Sequence, residues 1–594
     1  MTPMVIFISV LGITLAYALN HIAGAMQPII DDGDIAAFVG TGDFIGRSFV
    51  EHPLPFTTPF ALSVALLGLL IALILFIWQS WWLNKTSMAG REHGSAKILG
   101  VKDLKPYCDS DSPKNNILLG DGVSIRLDGH AKNHEYERNS NVLVVGGSGC
   151  GKTWRYVLPN LMQLNSSYVL TDPKGTTVTQ IGKFFLENKY KVKILNTVNF
   201  EKSMHYNPLA YIYKQSDILR VVEVIMASTT GTQNDTGDPF WPNAERLFYS
   251  SVIALQYEWC NASELNLPTT IDLIALAEIR EDNPDYTSTL DELFEMYKEE
   301  LVGTGKDPNS SFACRQYHRF KQGNAKTLQS VLISCNARLA RFDLDEVREL
   351  MSYDEIGLDQ IGREKTFLGV VMSDTEKTYS FIIALMEYQL FNVLCVQADE
   401  NPDGQLDIPV QLYLDEFRNI GRIPDFDTTI STIRSRGISA SIILQSLAQL
   451  HDLYKDAADT IIDCCDTLVF FGGGRSKTTT EAISGYIGQS TIETKSRSES
   501  RSGSGGNSVS HQVVGRAAID PAEIAKLKKS ECLIHITGSN AAKVEKIMPT
   551  KNPMYKTTGF GNPELRFSIG DEKLYEAEHF LDGVIPREEL SDAA

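Results

Sequence analysis

Apolar positions fall along the chain in distinct regimes. Near the N-terminus two long stretches carry no charge. No Asp, Glu, Lys or Arg appears from Met4 to Ile30, where IFISVLGITLAYAL is largely apolar; a second uncharged run from Pro59 to Leu83 centres on ALLGLLIALILFIW. At about 1.5 Å per residue, a helix of either length crosses a hydrocarbon layer of roughly 30 Å. The pattern therefore predicts two transmembrane helices. Trp78, Trp81 and Trp82 crowd the end of the second run, where amphipathic rings favour the lipid–water boundary. The connecting loop carries Asp31, Asp32, Asp34, Asp43 and Glu51 against Arg47, whereas Lys85, Arg91, Lys97 and Lys102 follow the second run. Bases accumulate on the cytoplasmic side, which predicts a short external loop and a cytoplasmic remainder after Lys85. A cleavable signal peptide is the competing reading of the first run, but no basic segment precedes it and a second span follows.

Beyond the spans the apolar runs become short. Asn141–Val145, Ser167–Leu170, Val410–Leu414, Ser439–Leu444, the run near Phe470 and Glu531–Ile536 are strand-sized and separated by helical periodicity, the pattern of an α/β fold. From about 215 to 343 the strand series gives way to an all-helical block. Residues 492–512 are rich in Ser and Gly without a core-forming pattern and read as a mobile loop or linker. The expected organisation is a membrane anchor over 1–84, an α/β domain in two parts (85–214 and 344–560) around an all-α insert at 215–343, and an acidic tail at 561–594.

The chemistry gathers at strand ends. After Val145 comes Gly146-Gly147-Ser148-Gly149-Cys150-Gly151-Lys152-Thr153, followed by a helical pattern from Trp154. Strand, glycine-rich loop and helix in that order make a Walker A motif, whose backbone N–H groups curl around phosphates at a helix N-terminus. Lys152 brings positive charge to the β- and γ-phosphates of ATP, and Thr153 offers its hydroxyl to Mg²⁺. Cys150 occupies a variable position of the loop. The strand Ser167–Leu170 runs into Thr171-Asp172-Pro173-Lys174-Gly175, leaving Asp172 and Lys174 at its C-terminal edge, where open α/β sheets bind ligands. Val410–Leu414 ends in Asp415-Glu416, a Walker B arrangement with Asp415 for Mg²⁺ and Glu416 as the general base. Gln445 closes the run Ser439–Leu444 and suits a sensor that feels the γ-phosphate or positions water. Arg434 and Arg436 lie between, near the same edge, where one could act as an arginine finger on a neighbouring subunit's nucleotide.

These segments resemble one family. GGSGCGKT, TDPKG, YNPL (206–209), DPFW (238–241), YLDEFRNIGRIPDF (413–426), STIRSRGISASIILQS (431–446) and CDTLVFFGG (465–473) form an ordered set similar to that of the type IV secretion coupling proteins, the TraG/TraD-type conjugative ATPases. The similarity extends from His93–Lys97 to Glu531–Ile536. It implies a RecA-like P-loop NTPase domain with an inserted all-α domain behind two transmembrane helices, assembled as a homohexamer around a DNA channel. The implied cofactors are ATP and Mg²⁺. The implied partners are single-strand DNA with relaxase and relaxosome proteins, the type IV secretion channel components and the membrane. On this resemblance Lys152 and Thr153 match the Walker A pair, Asp415 and Glu416 the Walker B pair, Gln445 the sensor, and Arg434 the trans-acting arginine, with Arg436 close enough to substitute. One departure stands out: Thr176 follows the Asp-Pro-Lys-Gly turn where the family usually has an acid.

Composition sharpens this picture. The 594 residues carry 55 Lys+Arg against 74 Asp+Glu, a formal charge of −19, which excludes a protein that coats nucleic acid with its whole exterior. The nine cysteines show no Cys-x-x-Cys spacing, as expected for free thiols in a reducing compartment. Charge is unevenly spread: thirteen acids face three bases from Glu258 to Asp307, whereas Pro308 to Phe342 has six bases (Arg315, Arg319, Lys321, Lys326, Arg338, Arg341) and no acid, with Tyr317 and Phe320 interleaved. The basic segment is a candidate DNA strip and the acidic one a candidate docking face; each is also compatible with a solvated helix surface. Two other functions fit the motifs: an FtsK-like double-strand DNA translocase, and a nucleotide-binding cargo receptor without motor activity.

Overall fold

A computed structural model describes residues 3–33, 46–47, 49–86, 91–229, 239–283, 286–474, 476–499 and 507–570. The chain divides into two compact units, Met1–Ser95 with Gln489–Arg516, and Ala96–Gly488 with Ala517–Ala594.

In the first unit both uncharged runs are helices, α1 (Pro3–Asp32) and α2 (Pro59–Thr86). Small residues let their backbones approach: a Cβ on Gly12 would lie 3.0 Å from Ala72 Cβ, and one on Gly68 would lie 2.8 Å from a Leu19 methyl. Asn20 ties the connection to α1, donating to the Phe56 and Ala61 carbonyls and accepting from the Phe56 N–H at 2.7 Å. The Ser/Gly-rich stretch is largely not a loop. Gln489–Glu499 and Asn507–Ala517 are strands of a two-stranded sheet flanking 500–506, which lies outside the described residues. Alternating Ser, Thr and β-branched residues suffice for extended backbone when a neighbour supplies hydrogen bonds. That neighbour includes the segment following α2: Thr491 N–H donates to the Gly94 carbonyl, and His93 N–H donates to the Thr491 hydroxyl at 3.0 Å.

The second unit is built on a nine-stranded sheet. Its strands are β3 (Val142–Val145), β4 (Ser167–Pro173), β5 (Lys191–Asn196), β6 (Thr366–Met372), β7 (Val410–Leu414), β8 (Ile438–Leu444), β9 (Thr467–Phe470), β12 (Glu531–Ile536) and β13 (Ala542–Glu545). Here β1 and β2 denote the hairpin Asn116–Gly120/Val123–Arg126, and β10 and β11 the strands at 489–499 and 507–517. The spatial order is β13-β12-β9-β3-β8-β7-β4-β6-β5, parallel from β9 to β5, with β12 and β13 antiparallel at one edge. Strands β3, β6, β7 and β8 are buried throughout, so they read as mostly apolar runs, with buried polar exceptions such as Gln411, Ser439 and Ser441.

Between β5 and β6 the chain is helical, with helices at Gln215–Thr229, Phe240–Trp259, Leu267–Ala275, Thr289–Gly303, Phe312–Lys321, Ala325–Leu339 and Asp345–Leu350. This block has no core of its own. Phe248, Leu290 and Phe294 belong to one continuous apolar cluster with Val169, Leu195, Leu412 and Leu444 from one face of the sheet. The helix α3 (Ser380–Glu400) is long and apolar enough to cross a membrane, yet most of it is buried in this cluster. The boundary expected at 560 also cuts through packed structure. Phe567 is buried against Gly182, and its N–H donates to the Thr179 carbonyl at 2.7 Å. Residues 571–594, most of the predicted tail, lie outside the described residues, as does Asp238 of the DPFW segment.

Candidate nucleotide site

Parallel register brings the motif residues together. Val145 pairs with Leu444, so Gly146 and Gln445 leave neighbouring strands side by side. Leu414 pairs with Thr171, so Asp415 and Asp172 do the same one strand further along. All four stand at C-terminal strand ends, and the cleft above them encloses about 470 Å³. Ser148, Thr153, Asp172, Lys174, Asp415, Glu416 and Gln445 all line it.

The P-loop requires its glycines. A Cβ on Gly147 would lie 2.4 Å from the Gly473 carbonyl oxygen, and one on Gly146 would lie 2.7 Å from both Cys150 Sγ and Phe471 Cβ. Gly149 (φ 70°) and Gly151 (φ 89°) take the left-handed conformation that glycine adopts without penalty. Lys152 is buried and its ammonium donates to the Gly146 carbonyl at 2.7 Å. Cys150 contributes its backbone to the loop; burial raises its thiol pKa, and all nine cysteines are free.

The Thr153 hydroxyl donates to Asp415 Oδ2 at 2.5 Å, so the two side chains expected at a metal are in contact. Burial raises the Asp415 pKa, opposed by the Thr153 hydrogen bond and the Lys152 charge. Glu416 follows with left-handed backbone (φ 49°, ψ 50°), at a cost of about 1 kcal/mol for a residue with a Cβ. Asp415 Oδ1 accepts the Glu416 N–H at 3.0 Å, and Gln445 Nε2 donates to both Glu416 carboxylate oxygens at 3.1 and 3.0 Å. Burial pushes Asp172 up to about 7, even though its carboxylate caps the following helix by accepting the Val178 N–H at 2.7 Å.

Three of the expected residues sit at the rim of this cleft or outside it. The Lys174 ammonium pairs with Asp374 at 2.8 Å on the cleft rim. Arg434 and Arg436 share a short turn, Ile433–Arg436, and neither lines the cleft of its own chain. Arg436 pairs with Asp399 at 2.8 Å and donates to the Thr432 carbonyl. Arg434 is exposed and makes no hydrogen bond or ion pair among the described residues. The two aromatic residues interleaved with the bases are not available for stacking on nucleobases. Tyr317 and Phe320 are buried, and the Tyr317 ring lies 3.8 Å from that of Phe294, because the helix turns its apolar face into the core.

Asn419, inside the YLDEFRNIGRIPDF segment, also lines the cleft; sequence reasoning missed Asp374 and Phe560 there, and Lys546, whose ammonium reaches the Cys150 carbonyl of the P-loop. Lone residues far away in sequence carry no motif; only the fold brings them here.

Fold and cleft together define an α/β protein with a P-loop cleft, of the fold seen in conjugative coupling proteins. Residues 110–560 match the family described as type IV secretory system conjugative DNA transfer, and the chain belongs to that family. It is 21% identical over 411 residues to a probable conjugal transfer protein TraG of Sinorhizobium fredii (strain NBRC 101917 / NGR234), covering 68% of this chain and 60% of that protein. It is 22% identical over 415 residues to the protein VirD4 of Rhizobium radiobacter, covering 68% of this chain and 56% of that one. The chain thus spans less than two thirds of the length of these curated relatives. Among solved structures, the bacterial conjugative coupling protein TrwBdeltaN70 aligns with a TM-score of 0.55 at 18% identity, over 76% of this chain and 92% of that one. The plasmid coupling protein TrwB in complex with ADP and Mg²⁺ gives 0.54 at 18%, over 76% and 93%. At such identity the likeness is one of fold.

Proposed function

We propose that this chain is a membrane-anchored ATPase that couples a relaxase–single-strand DNA substrate to a type IV secretion channel and drives conjugative transfer by ATP hydrolysis. What carries the reading is the convergence, at one sheet edge, of the Thr153–Asp415 contact and the Gln445–Glu416 contact. A scaffold that only binds nucleotide has no need of a base held in place by a second side chain.

The residues present fit ATP and Mg²⁺. The P-loop is a cradle that a Cβ at Gly146 or Gly147 would fill, and the hydroxyl–carboxylate pair is a hard oxygen donor set of the kind Mg²⁺ prefers. Bound there, Mg²⁺ supplies charge neutralisation between the phosphates. Backbone N–H groups of 147–153 orient the phosphates, and Lys152 exchanges its bond to the Gly146 carbonyl for one to phosphate oxygen. Glu416 takes the proton of the attacking water, and Gln445 holds that carboxylate in register. Arg434, with no partner in its own chain among the described residues, extends to the nucleotide of the next subunit in a homohexamer. Helices α1 and α2 form a two-span anchor in the inner membrane, with the ATPase in the cytoplasm, where it meets channel components and relaxosome proteins.

The test is ATP hydrolysis by the full chain and by Glu416→Gln, with and without single-strand or duplex DNA, alongside transfer of a mobilised plasmid. Hydrolysis stimulated by single strands and lost with transfer in Glu416→Gln is expected. Negligible hydrolysis in both proteins would leave the cargo-receptor reading. Stimulation by duplex alone, with transfer intact, would favour an FtsK-like pump.

A further inference from the structure

Lys546 follows β13 at the sheet edge and is almost completely buried. Its ammonium donates to the Cys150 carbonyl at 3.0 Å and to the Lys529 carbonyl at 2.8 Å, and sits 5.0 Å from the centre of the Phe471 ring. It forms no ion pair with a carboxylate among the described residues. A buried cation without an anion is costly, and two carbonyls and a ring face compensate it only in part.

Its place gives that cost a use. The Cys150–Gly151 peptide is planar, so fixing its oxygen from outside the loop fixes the opposite direction of the Gly151 N–H. Gly151 adopts φ 89° and lies outside regular secondary structure, so no helix or strand ladder holds that plane. The same donor polarises the peptide, making its N–H a stronger donor toward an anion. The Lys546 charge also adds to that of Lys152, which donates to the Gly146 carbonyl of the same loop.

We propose that Lys546 is a positioning residue for nucleotide phosphates: it locks the Cys150–Gly151 peptide with its N–H toward the phosphate cradle, and bound polyphosphate supplies the anion its buried ammonium lacks. This rests on the P-loop being a nucleotide site, and not on the motor assignment. Consistent with it, burial lowers the Lys546 pKa, opposed by the neighbouring Cys150 and Cys532 thiols and reinforced by Arg155.

Lys546→Met, Lys546→Gln and Lys546→Arg in the full chain separate positioning from packing. Each is measured for binding of a fluorescent ADP analogue with Mg²⁺, for ATP hydrolysis, and for thermal unfolding without nucleotide. Loss of a charge-assisted hydrogen bond weakens binding by about ten- to a hundredfold. Lys546→Met should show that loss as a raised KM with kcat little changed. Gln, which donates without charge, should be intermediate, and Arg should restore most of the affinity. If Arg does not fold, the order Lys above Gln above Met still decides. Equal affinity for wild type, Gln and Met, or a fall in unfolding temperature alone, would overturn the proposal. Failure of wild type to bind the analogue would overturn it too, whereas binding without hydrolysis would overturn only the motor function.

Discussion

Glu387 offers a quantitative test of how the core of the second unit is built. It lies on α3 with Ile383, Ala384, Leu390 and Phe391, one turn to either side, all buried. The residue has no exposed surface and neither carboxylate oxygen has a hydrogen-bond partner. Burial pushes its pKa from 4.5 up to about 8. The unfolded chain therefore releases this proton at a lower pH than the native protein does. It binds fewer protons than the native state between those values, so stability falls as pH rises from 4.5 to 8 and is level above. With 1.36 kcal/mol per pKa unit, the native state is disfavoured at pH 7 by about 3 kcal/mol relative to a chain lacking this group. Glu387→Met keeps the length of the side chain and removes the titration. Its advantage over wild type should be smallest near pH 4.5 and about 3 kcal/mol larger at pH 7, a difference of a few degrees in Tm. The assay is thermal unfolding of both proteins in one detergent across pH 4.5 to 8.5. Two parallel curves, with a pH-independent difference, would refute the reasoning.

The remaining predictions concern the cleft and its rim. Gly147→Ala places a Cβ 2.4 Å from a backbone oxygen and should lower nucleotide affinity more than tenfold, whereas Gly149→Ala meets nothing within 4 Å and should cost about 1 kcal/mol of stability for its left-handed backbone; equilibrium binding and thermal unfolding of the two variants check the contrast. Arg436→Ala removes the Asp399 ion pair and should lower the unfolding temperature, while Arg434→Ala should leave it unchanged and reduce kcat. Mixing Arg434→Ala with Glu416→Gln should recover hydrolysis, because the second chain provides the arginine that the first lacks. Asp172→Asn keeps an acceptor for the Val178 N–H and removes a carboxyl pushed up to about 7, so it should stabilise the protein increasingly from pH 4 to 7, as read from unfolding temperatures.

The strands and the site were legible where local rules suffice. Buried parallel strands are mostly apolar runs, and chemistry at their C-terminal ends follows from the fold, so Gly146, Asp172, Asp415 and Gln445 were found from short windows. Burial across the sequence was not legible in the same way. Tyr317 and Phe320 stand between bases in the chain, but helical periodicity turns them inward and the bases outward. The strands at 489–517 lack an apolar face, so nothing in their composition signals pairing; their hydrogen bonds to 93–94 cross almost four hundred residues. Lys546 is invisible for the same reason: its role depends on a contact with Cys150 across 396 positions.

Charge shows how the two levels combine. Counted along the sequence, Pro308–Phe342 offers six bases to a phosphate backbone. In the fold, Lys321 pairs with Asp291 at 2.9 Å, Arg338 with Glu245 at 3.0 Å, and Arg315 donates to the Asn309 and Ser310 carbonyls. Arg319, Lys326 and Arg341 remain exposed without an ion pair among the described residues. The Lys321–Asp291 pair spans the acidic and basic segments, so part of their opposite charge is spent within the helical block. Counterion release scales with the number of phosphates neutralised, so three free bases per chain make a weak strip alone. In the proposed homohexamer that number is multiplied around one channel, and the affinity of this surface for DNA should then depend on assembly far more steeply than on any single arginine.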